Sequence, residues 1–146
     1  MFRGSAAARI DSKGRLKVPS DFRRLLEETY GRDVFITSVT GQSAVLYPLP
    51  VWEEHEAKLL ALPSTDRFRQ RYLERVSFFG QQTRLDAQGR LVVPPGLREA
   101  AGIVGDVLVL GSLDRLEVWN HDRFTHRLEE QPFTDEDQDL LSAKDI

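Results

Sequence analysis

The chain has 146 residues, of which 40% are hydrophobic and 29% are charged, with a net charge of −3 and no cysteine. This composition is typical of a soluble globular protein built as one domain or as two small interlocked halves, and the lack of cysteine excludes disulfides and cysteine-ligated zinc. No apolar run is long enough for a signal-peptide core or a membrane span, so we expect a soluble, intracellular protein.

The first part of the chain predicts two strand pairs with a helix between them. We predict strands at residues 8–11 and 15–18, a helix at 21–29, and strands at 33–39 and 43–47. Ser12-Lys13-Gly14 separates the first two strands, which predicts a hairpin with about three loop residues. Pro19 then ends the strand, and Ser20 is the expected N-cap of the helix.

The second part of the chain repeats this order. Its segments are strands at residues 84–86 and 90–93, a helix at 97–101 that ends at Gly102, and strands at 106–110 and 115–119. Both parts therefore predict β-β-α-β-β. We divide the chain into a first half with a trailing helix (1–63), a linking helix with the second half (64–132) and an acidic C-terminal tail (133–146).

Two helices are predicted between the strand pairs of the two halves, at residues 51–62 and 66–79. The second has an apolar stripe at i, i+4, i+8 and i+11, which predicts packing in a core or against another subunit rather than a cofactor site. The stripe consists of Phe68, Tyr72, Val76 and Phe79. The acidic tail contains Leu140-Leu141 and predicts a loose or frayed helix.

The most informative feature is an internal repeat. The segments 9–19 (RIDSKGRLKVP) and 84–94 (RLDAQGRLVVP) are related by an offset of 75 residues without a gap. Both contain Asp-x-x-Gly-Arg between short apolar segments, and both run through proline into a helix-like segment. Two related halves can form one pseudo-symmetric unit, which would present the motif twice.

The charge is unevenly distributed. Residues 133–146 carry a net charge of −4 and residues 1–17 carry +4. A third segment, residues 66–90, contains six arginines and three acids, a net charge of +3. The local field, more than the net charge, decides whether a polyanion is attracted. Charge alone leaves two interpretations open: a surface that binds nucleic acid, or arginines that only solvate the protein.

Candidate catalytic residues are few. The three histidines lie in charged, helix-like segments, and none has metal-ligand spacing with a carboxylate behind it. No nucleophile elbow, Ser-x-x-Lys pattern or glycine-rich phosphate loop occurs. We therefore expect no enzymatic activity, no metal, no cofactor and no small-molecule substrate.

The two Asp-x-x-Gly-Arg motifs are the exception. In the first, Asp11 can accept backbone hydrogen bonds within the turn, and Gly14 can adopt a positive φ. A hairpin does not need Arg15, whose planar, permanently charged guanidinium suits a phosphate or a guanine. Lys13 could add a phosphate contact, where the second copy has Gln88. The corresponding residues of that copy are Asp86, Gly89 and Arg90. A purely structural turn and a nucleic-acid contact both remain open on this reasoning.

Several segments resemble the MraZ family. They are Met1-Phe2-Arg3-Gly4, the run DSKGRLKVP at 11–19, LYPLPVW at 46–52, DAQGR at 86–90 and LEVW at 116–119. The resemblance covers nearly the whole chain except the acidic tail. It implies an α+β fold in which the two tandem β-β-α-β-β halves form a pseudo-symmetric AbrB-like swapped-hairpin β-barrel with peripheral helices.

The resemblance also implies a function. Proteins of this family are transcriptional regulators that form ring-shaped homo-oligomers and bind short direct repeats in the promoter of the division and cell-wall gene cluster, typically as repressors. The implied partners are double-stranded promoter DNA and further copies of the chain, in the cytoplasm at the nucleoid, with no membrane. The alternative is a protein-interaction ring or antitoxin-like module without direct DNA contact, whose acidic tail binds a partner.

Roles carry over from the family by position. Arg15 and Arg90 are the implied DNA contacts, and Asp11 and Asp86 are their positioners, together with the turn glycines Gly14 and Gly89. Charge and sequence position alone add three phosphate contacts, which are Arg3, Lys13 and Lys17. We expect hairpin arginines to enter successive DNA grooves, and Arg15 to matter more than Arg90 because the second copy lacks the lysine.

Overall fold

The computed structural model describes all 146 residues and contains eight strands and six helices. The elements are β1 (Ser5–Ile10), β2 (Arg15–Lys17), α1 (Ser20–Thr29), β3 (Asp33–Thr37), β4 (Ala44–Pro48), α2 (Leu49–Leu60), α3 (Arg67–Phe79), β5 (Gln81–Arg84), β6 (Arg90–Val92), α4 (Pro95–Ala101), β7 (Gly105–Ser112), β8 (Arg115–Asn120), α5 (His121–Glu130) and α6 (Asp135–Ser142). The predicted β-β-α-β-β order is present twice.

The eight strands form one antiparallel sheet in the order β5-β3-β4-β8-β7-β1-β2-β6, which curls into a nearly closed barrel. Each strand of the first half pairs with a strand of the second half: β1 with β7, β2 with β6, β3 with β5 and β4 with β8. The expected α+β fold with interleaved hairpins is thus confirmed. Since neither half forms a sheet of its own, the halves share one hydrophobic core of 20 buried residues.

The short strands β2 and β6 contribute one core residue each. Leu16 and Leu91 are buried at the centre of these strands. Because side chains alternate between the two faces of a strand, the residues on either side of each leucine point outward. The sheet therefore places the first residue of both strands, Arg15 and Arg90, on the outer face of the barrel.

The helices α1 and α4 each begin directly after a proline. Pro19 and Pro94 take the N-cap positions with φ of −53° and −55°, and no side chain caps either helix. The prediction that Ser20 is the N-cap is therefore wrong, because the fixed φ of proline already suits the extended entry into the helix. The prediction that α4 ends at Gly102 is confirmed, and this residue has a φ of +63°.

The helices α2 and α3 cover a smaller aromatic core. Tyr47, Trp52 and Val76 are buried there, and Tyr72 packs against them. The apolar stripe predicted on α3 enters this core only in part, since Phe68 is 77% exposed. The helix predicted in the acidic tail is α6, which begins with a capping box formed by Thr134 and Asp137. No helix in the structure has both the length and the apolar character required to cross a membrane.

Candidate nucleic-acid interface

An aspartate organises the turn between β1 and β2. Oδ1 of Asp11 accepts hydrogen bonds from the backbone N–H groups of Lys13 at 3.0 Å and Arg15 at 2.9 Å. The N–H of Gly14 donates to the carbonyl oxygen of Asp11 at 3.0 Å. Gly14 has a φ of +77°, in the region that favours glycine. Backbone groups and the Asp11 carboxylate therefore make the hydrogen bonds that close the turn.

The turn between β5 and β6 has the same geometry. Oδ1 of Asp86 accepts from the backbone N–H groups of Gln88 and Arg90, both at 2.9 Å. The N–H of Gly89 donates to the carbonyl oxygen of Asp86 at 3.0 Å, and its φ is +74°. The sequence repeat is thus also a structural repeat.

Each aspartate also holds the arginine of its own motif. Nε of Arg15 donates to Oδ2 of Asp11 at 2.7 Å, and Nε of Arg90 donates to Oδ2 of Asp86 at 3.0 Å. Nη2 of Arg90 makes a further hydrogen bond to Oε1 of Gln88 at 3.1 Å. The Nη atoms of Arg15 have no such partner, so Arg15 offers two terminal nitrogens to a ligand and Arg90 offers one.

Hydrogen bonding lowers the pKa of both aspartates below the ordinary value for the residue. The backbone N–H of Arg15 is the largest cause that lowers the pKa of Asp11, followed by the Arg15 side chain and the Lys13 N–H, and these outweigh the opposing effect of desolvation. The pKa of Asp86 is lowered in the same way by Arg90 and Gln88. The charged carboxylates therefore fix the direction of the two guanidinium groups.

The two turns lie at opposite ends of one two-stranded ribbon formed by β2 and β6. The N–H of Val93 donates to the carbonyl oxygen of Gly14 at 2.9 Å, and the N–H of Val18 donates to that of Gly89 at 3.0 Å. These two hydrogen bonds are related by the 75-residue offset. The interleaved fold therefore brings the two copies of the motif, distant in sequence, onto one surface.

The outward face of this ribbon carries three cations. In the antiparallel register Arg15 is opposite Val92 and Lys17 is opposite Arg90. Directly opposed side chains in such a pair lie about 5 Å apart at Cβ, so these four residues form one compact patch. The two copies differ within it, because Lys17 of the first corresponds to Val92 of the second.

A shallow groove of about 420 Å³ runs beside the patch and is lined by Arg15, Lys17 and Arg90 together with Arg9. The structure thus brings together three of the five sequence-predicted contact residues. Sequence reasoning missed Arg9, and its signal was its position two residues before Asp11 within the same repeat. Arg9 also lies 3.4 Å from the carboxylate of Asp106, in a pair that is largely exposed.

The other two predicted contacts lie differently. Lys13 is exposed within the first turn, next to the patch. Arg3 precedes β1, whereas the turn follows β1. This six-residue strand spans roughly 17 Å at about 3.3 Å per residue, so it separates the two. The backbone of Arg3 lies against Gly111 in β7 instead. The structure therefore does not bring Arg3 to the patch.

An arginine from the opposite half supports each turn. The guanidinium of Arg98, on α4, lies against Gly14, and its Nε donates to the carbonyl oxygen of Val93 at 2.9 Å. Arg23, on α1, lies in the same way against Gly89, and its Nη2 donates to the carbonyl oxygen of Ala87 at 3.0 Å. A Cβ at either glycine would collide with the arginine.

The histidines lie away from this surface or are engaged elsewhere. Nε2 of His55 lies 3.2 Å from Nη2 of Arg115, close to the aromatic core. His121 and His126 pair with carboxylates of their own helix at the protein surface. No group of three or more histidine, aspartate or glutamate side chains is placed to hold a metal ion.

Comparison with known proteins decides the family. The model of the MraZ protein family, whose description likens it to antitoxins, matches residues 1–75 and 80–144. This chain belongs to the MraZ family. Each of the two matched segments contains one of the Asp-x-x-Gly-Arg turns.

Relatives within the family match along almost their whole length. A protein of Acidobacterium capsulatum is 46% identical over 142 residues, which is 97% of either chain. One of Koribacter versatilis is 48% identical over 143 residues, again 97% of either chain. One of Shewanella baltica is 35% identical over 144 residues, or 97% of this chain and 94% of the relative. All three bear the name transcriptional regulator MraZ.

Proposed function

We propose that this MraZ-family chain is a transcriptional regulator that binds DNA in a sequence-specific manner through the outward face of the β2–β6 ribbon. The observation that supports this most directly is the meeting of Arg15, Lys17 and Arg90 on that face. The name shared by the relatives supports a role in transcription. A two-stranded ribbon is also an element that the major groove of B-DNA, about 12 Å wide, admits.

The free terminal nitrogens of Arg15 give the contact its chemistry. Two parallel N–H donors can bond O6 and N7 of a guanine or two oxygens of a phosphate. The Nε of the same side chain stays on Asp11, so the guanidinium is oriented before DNA arrives. Lys17 and Lys13 add positive charge for phosphates beside it, and the second turn, which has Val92 and Gln88 at these positions, contributes less charge.

Several copies acting together give the affinity. We propose that the chain forms a ring-shaped homo-oligomer that binds short direct repeats in the promoter of the division and cell-wall gene cluster and represses it, at the nucleoid. The contact of one subunit with one repeat is weak by itself. Once one subunit is bound, the others in the ring are at a high effective concentration near the neighbouring repeats, so the ring selects DNA in which the repeats are correctly spaced. In this proposal residues 1–63 and 64–132 form the DNA-binding unit, and the tail at 133–146 lies outside it.

A titration of the purified protein against fluorescent fragments of its own upstream region tests this function. We expect binding of one fragment with a clear dependence on salt, because phosphate contacts release counterions. Replacing Lys17 with valine, which makes the first copy match the second, should reduce the slope of log K against log salt by about one. A salt slope near zero, or equal binding to every fragment, would contradict the proposal.

A second candidate function is a protein-interaction module without DNA contact. The acidic helix α6 favours it, since none of its residues is buried against the rest of the chain, and the family description likens these proteins to antitoxins. Co-purification of a stoichiometric protein partner, together with no shift of the upstream DNA, would support this function over the first.

A further inference from the structure

The strand β1 adds a further cation to the outward face of the β2–β6 ribbon. Ile10 of β1 is buried opposite Leu16 of β2. One position further along the same antiparallel register, Arg9 lies opposite Lys17, and both side chains point outward. Lys17 lies opposite Arg90 of β6. The three cations therefore form one row across neighbouring strands that are about 4.8 Å apart.

An acid ends this row on its far side. Asp106 of β7 lies opposite Arg9, and its carboxylate is 3.4 Å from Nε of Arg9. A second groove of about 540 Å³ is lined by this pair and extends to His121 and Asp122 at the start of α5. The side chain of Asp122 is fully exposed. Because carboxylates repel phosphates, Asp106 and Asp122 limit the cationic surface on this side.

The ion pair between Arg9 and Asp106 is looser than the pair between Arg15 and Asp11. Nε of Arg15 donates a hydrogen bond to Asp11 at 2.7 Å, and the Arg15 side chain is 30% exposed. Arg9 is held at 3.4 Å, and its side chain is 78% exposed. An ion pair that remains hydrated contributes little to stability and is screened by salt. Arg9 can therefore exchange its carboxylate for another anion, whereas Arg15 stays on Asp11.

We propose that Arg9 is a phosphate contact of bound DNA and that a phosphate replaces Asp106 as its partner. The inference rests on the proposed function and adds a residue to the same surface. A phosphate accepts two parallel N–H donors of a guanidinium, as a carboxylate does. The displaced Asp106 then lies near the DNA without a partner, so it lowers the affinity. Since a phosphate contact carries no sequence information, this effect is similar for every duplex.

The second half contains the counterpart of this pair. Arg84 lies 75 residues after Arg9 and opposite Asp33 in the pairing of β3 with β5, and its Nη1 donates to Oδ1 of Asp33 at 3.5 Å. The second copy has Val92 in place of Lys17, and Arg84 does not line the groove beside the patch. A phosphate can therefore bridge Arg9 and Lys17, whereas Arg84 has no equivalent lysine beside it.

Glutamine variants of the two arginines test the contact in the full chain. Each variant is titrated with the fluorescent upstream fragment that the wild type binds and with an unrelated duplex of equal length, at several salt concentrations. Arg9→Gln should reduce the slope of log K against log salt by about one and weaken both duplexes by a similar factor. Arg84→Gln, the matched control, should change the slope less. Both arginines are exposed, so the substitutions should leave the fold intact, which urea unfolding verifies.

Three results of this titration would overturn the contact. They are an unchanged salt slope in Arg9→Gln, a loss of affinity that is confined to the upstream fragment, and an equal loss in Arg84→Gln. The first would show that no phosphate is bound, the second that Arg9 reads bases, and the third that only the total charge of the protein matters.

A double-mutant cycle tests the exchange with Asp106. Asp106→Asn should tighten DNA binding by up to about fivefold, the equivalent of an exposed ion pair, because Arg9 no longer has to leave a carboxylate. Introduced together with Arg9→Gln, it should give a smaller gain, since only the repulsion between Asp106 and DNA is then relieved. An equal gain in both backgrounds, or no gain in the first, would show that DNA does not compete with Asp106 for Arg9.

The outcome for this contact is separable from the outcome for the proposed function. A wild type that binds neither duplex contradicts the proposed function and this inference together. If Arg15→Ala loses affinity while Arg9→Gln matches the wild type in affinity and salt slope, the proposed function stands and the contact of Arg9 is overturned. Both are supported if the loss is similar for the two duplexes in Arg9→Gln and larger for the upstream fragment in Arg15→Ala.

Discussion

The guanidinium of Arg98 lies against Gly14, a residue of the other half, and at the equivalent position Arg23 lies against Gly89. Each Asp-x-x-Gly-Arg turn is thus supported by a helix that is distant in sequence. Arg98 also donates to the carbonyl oxygen of Val93, directly after β6, and Arg23 donates to that of Ala87, in the turn before β6. The orientation of the candidate DNA contacts therefore depends on the correct interleaving of both halves.

Replacing Gly14 with alanine should destabilise the protein by more than the strain of a positive φ alone. A left-handed conformation costs an alanine about 1–2 kcal/mol, and the new Cβ must also displace Arg98. Gly4→Ala is the matched control, because Gly4 has a φ of +82° and open space around its Cβ. Urea unfolding should show a larger loss of free energy of unfolding for Gly14→Ala. Equal losses would mean that the contact with Arg98 carries no constraint.

Arg15→Ala should weaken DNA binding more than Arg90→Ala. A good bidentate contact contributes about 1–3 kcal/mol, and Arg90 has already committed one terminal nitrogen to Gln88. Anisotropy titrations at moderate salt should show a loss of about tenfold or more for Arg15→Ala and a smaller loss for Arg90→Ala. Arg127→Ala is the control and should bind like the wild type, because Arg127 lies over the ring of Trp119 in β8 and does not line the groove beside the patch. If Arg15→Ala also binds like the wild type, the proposed contact is wrong.

Asp11→Asn should weaken DNA binding even though it removes a negative charge from the DNA-facing surface. Electrostatics alone predicts tighter binding of DNA by this variant. The structure predicts the reverse, because the Asp11 carboxylate holds Nε of Arg15 at 2.7 Å and an amide is a weaker acceptor for a guanidinium. The same titration measures the effect, and Asp106→Asn, beside Arg9, controls for removal of a nearby acid. A gain in affinity by Asp11→Asn would show that Asp11 has no positioning role.

Much of this arrangement follows from local sequence signals. Turn residues, prolines and β-prone segments predict the order of the strands and helices, because each signal acts over a few residues. Strand boundaries that depend on pairing with another strand are harder to predict from the sequence. A strand is predicted at 84–86, whereas β5 is Gln81–Arg84, because these four residues pair along β3. The polar sequence QQTR gives no local strand signal of its own.

Only some of the residues of the candidate site could be predicted from the sequence. The repeat predicts that Arg15 and Arg90 are equivalent, but their meeting on one ribbon arises from the antiparallel pairing of β2 with β6, which belong to different halves. The support of Gly14 by Arg98 is likewise a contact between halves. The sequence also suggested that Arg3 lies with the other cations, because these residues are close along the chain. An extended strand separates its two ends, however, and β1 places Arg3 at one end and the turn at the other.

His55 should make stability depend on pH below neutrality. Arg115 is always charged and donates through Nη2 toward Nε2 of His55 at 3.2 Å, so this histidine is neutral in the folded protein. Burial is the largest cause that lowers the pKa of His55 below 6.5, and the charge of Arg115 adds to it. A lowered pKa means that the unfolded chain takes up the proton first. Stability is therefore complete above about pH 6.5 and decreases as the pH falls toward the lowered value.

Urea unfolding at pH 7.5 and pH 5.5 measures this dependence. The free energy of unfolding should fall between the two conditions in the wild type and fall less in His55→Gln, which cannot be protonated. His126→Gln is the control for the loss of a histidine, because His126 is exposed on α5 and makes no contact with Arg115. An unchanged dependence in His55→Gln would show that the contact with Arg115 does not hold this histidine neutral.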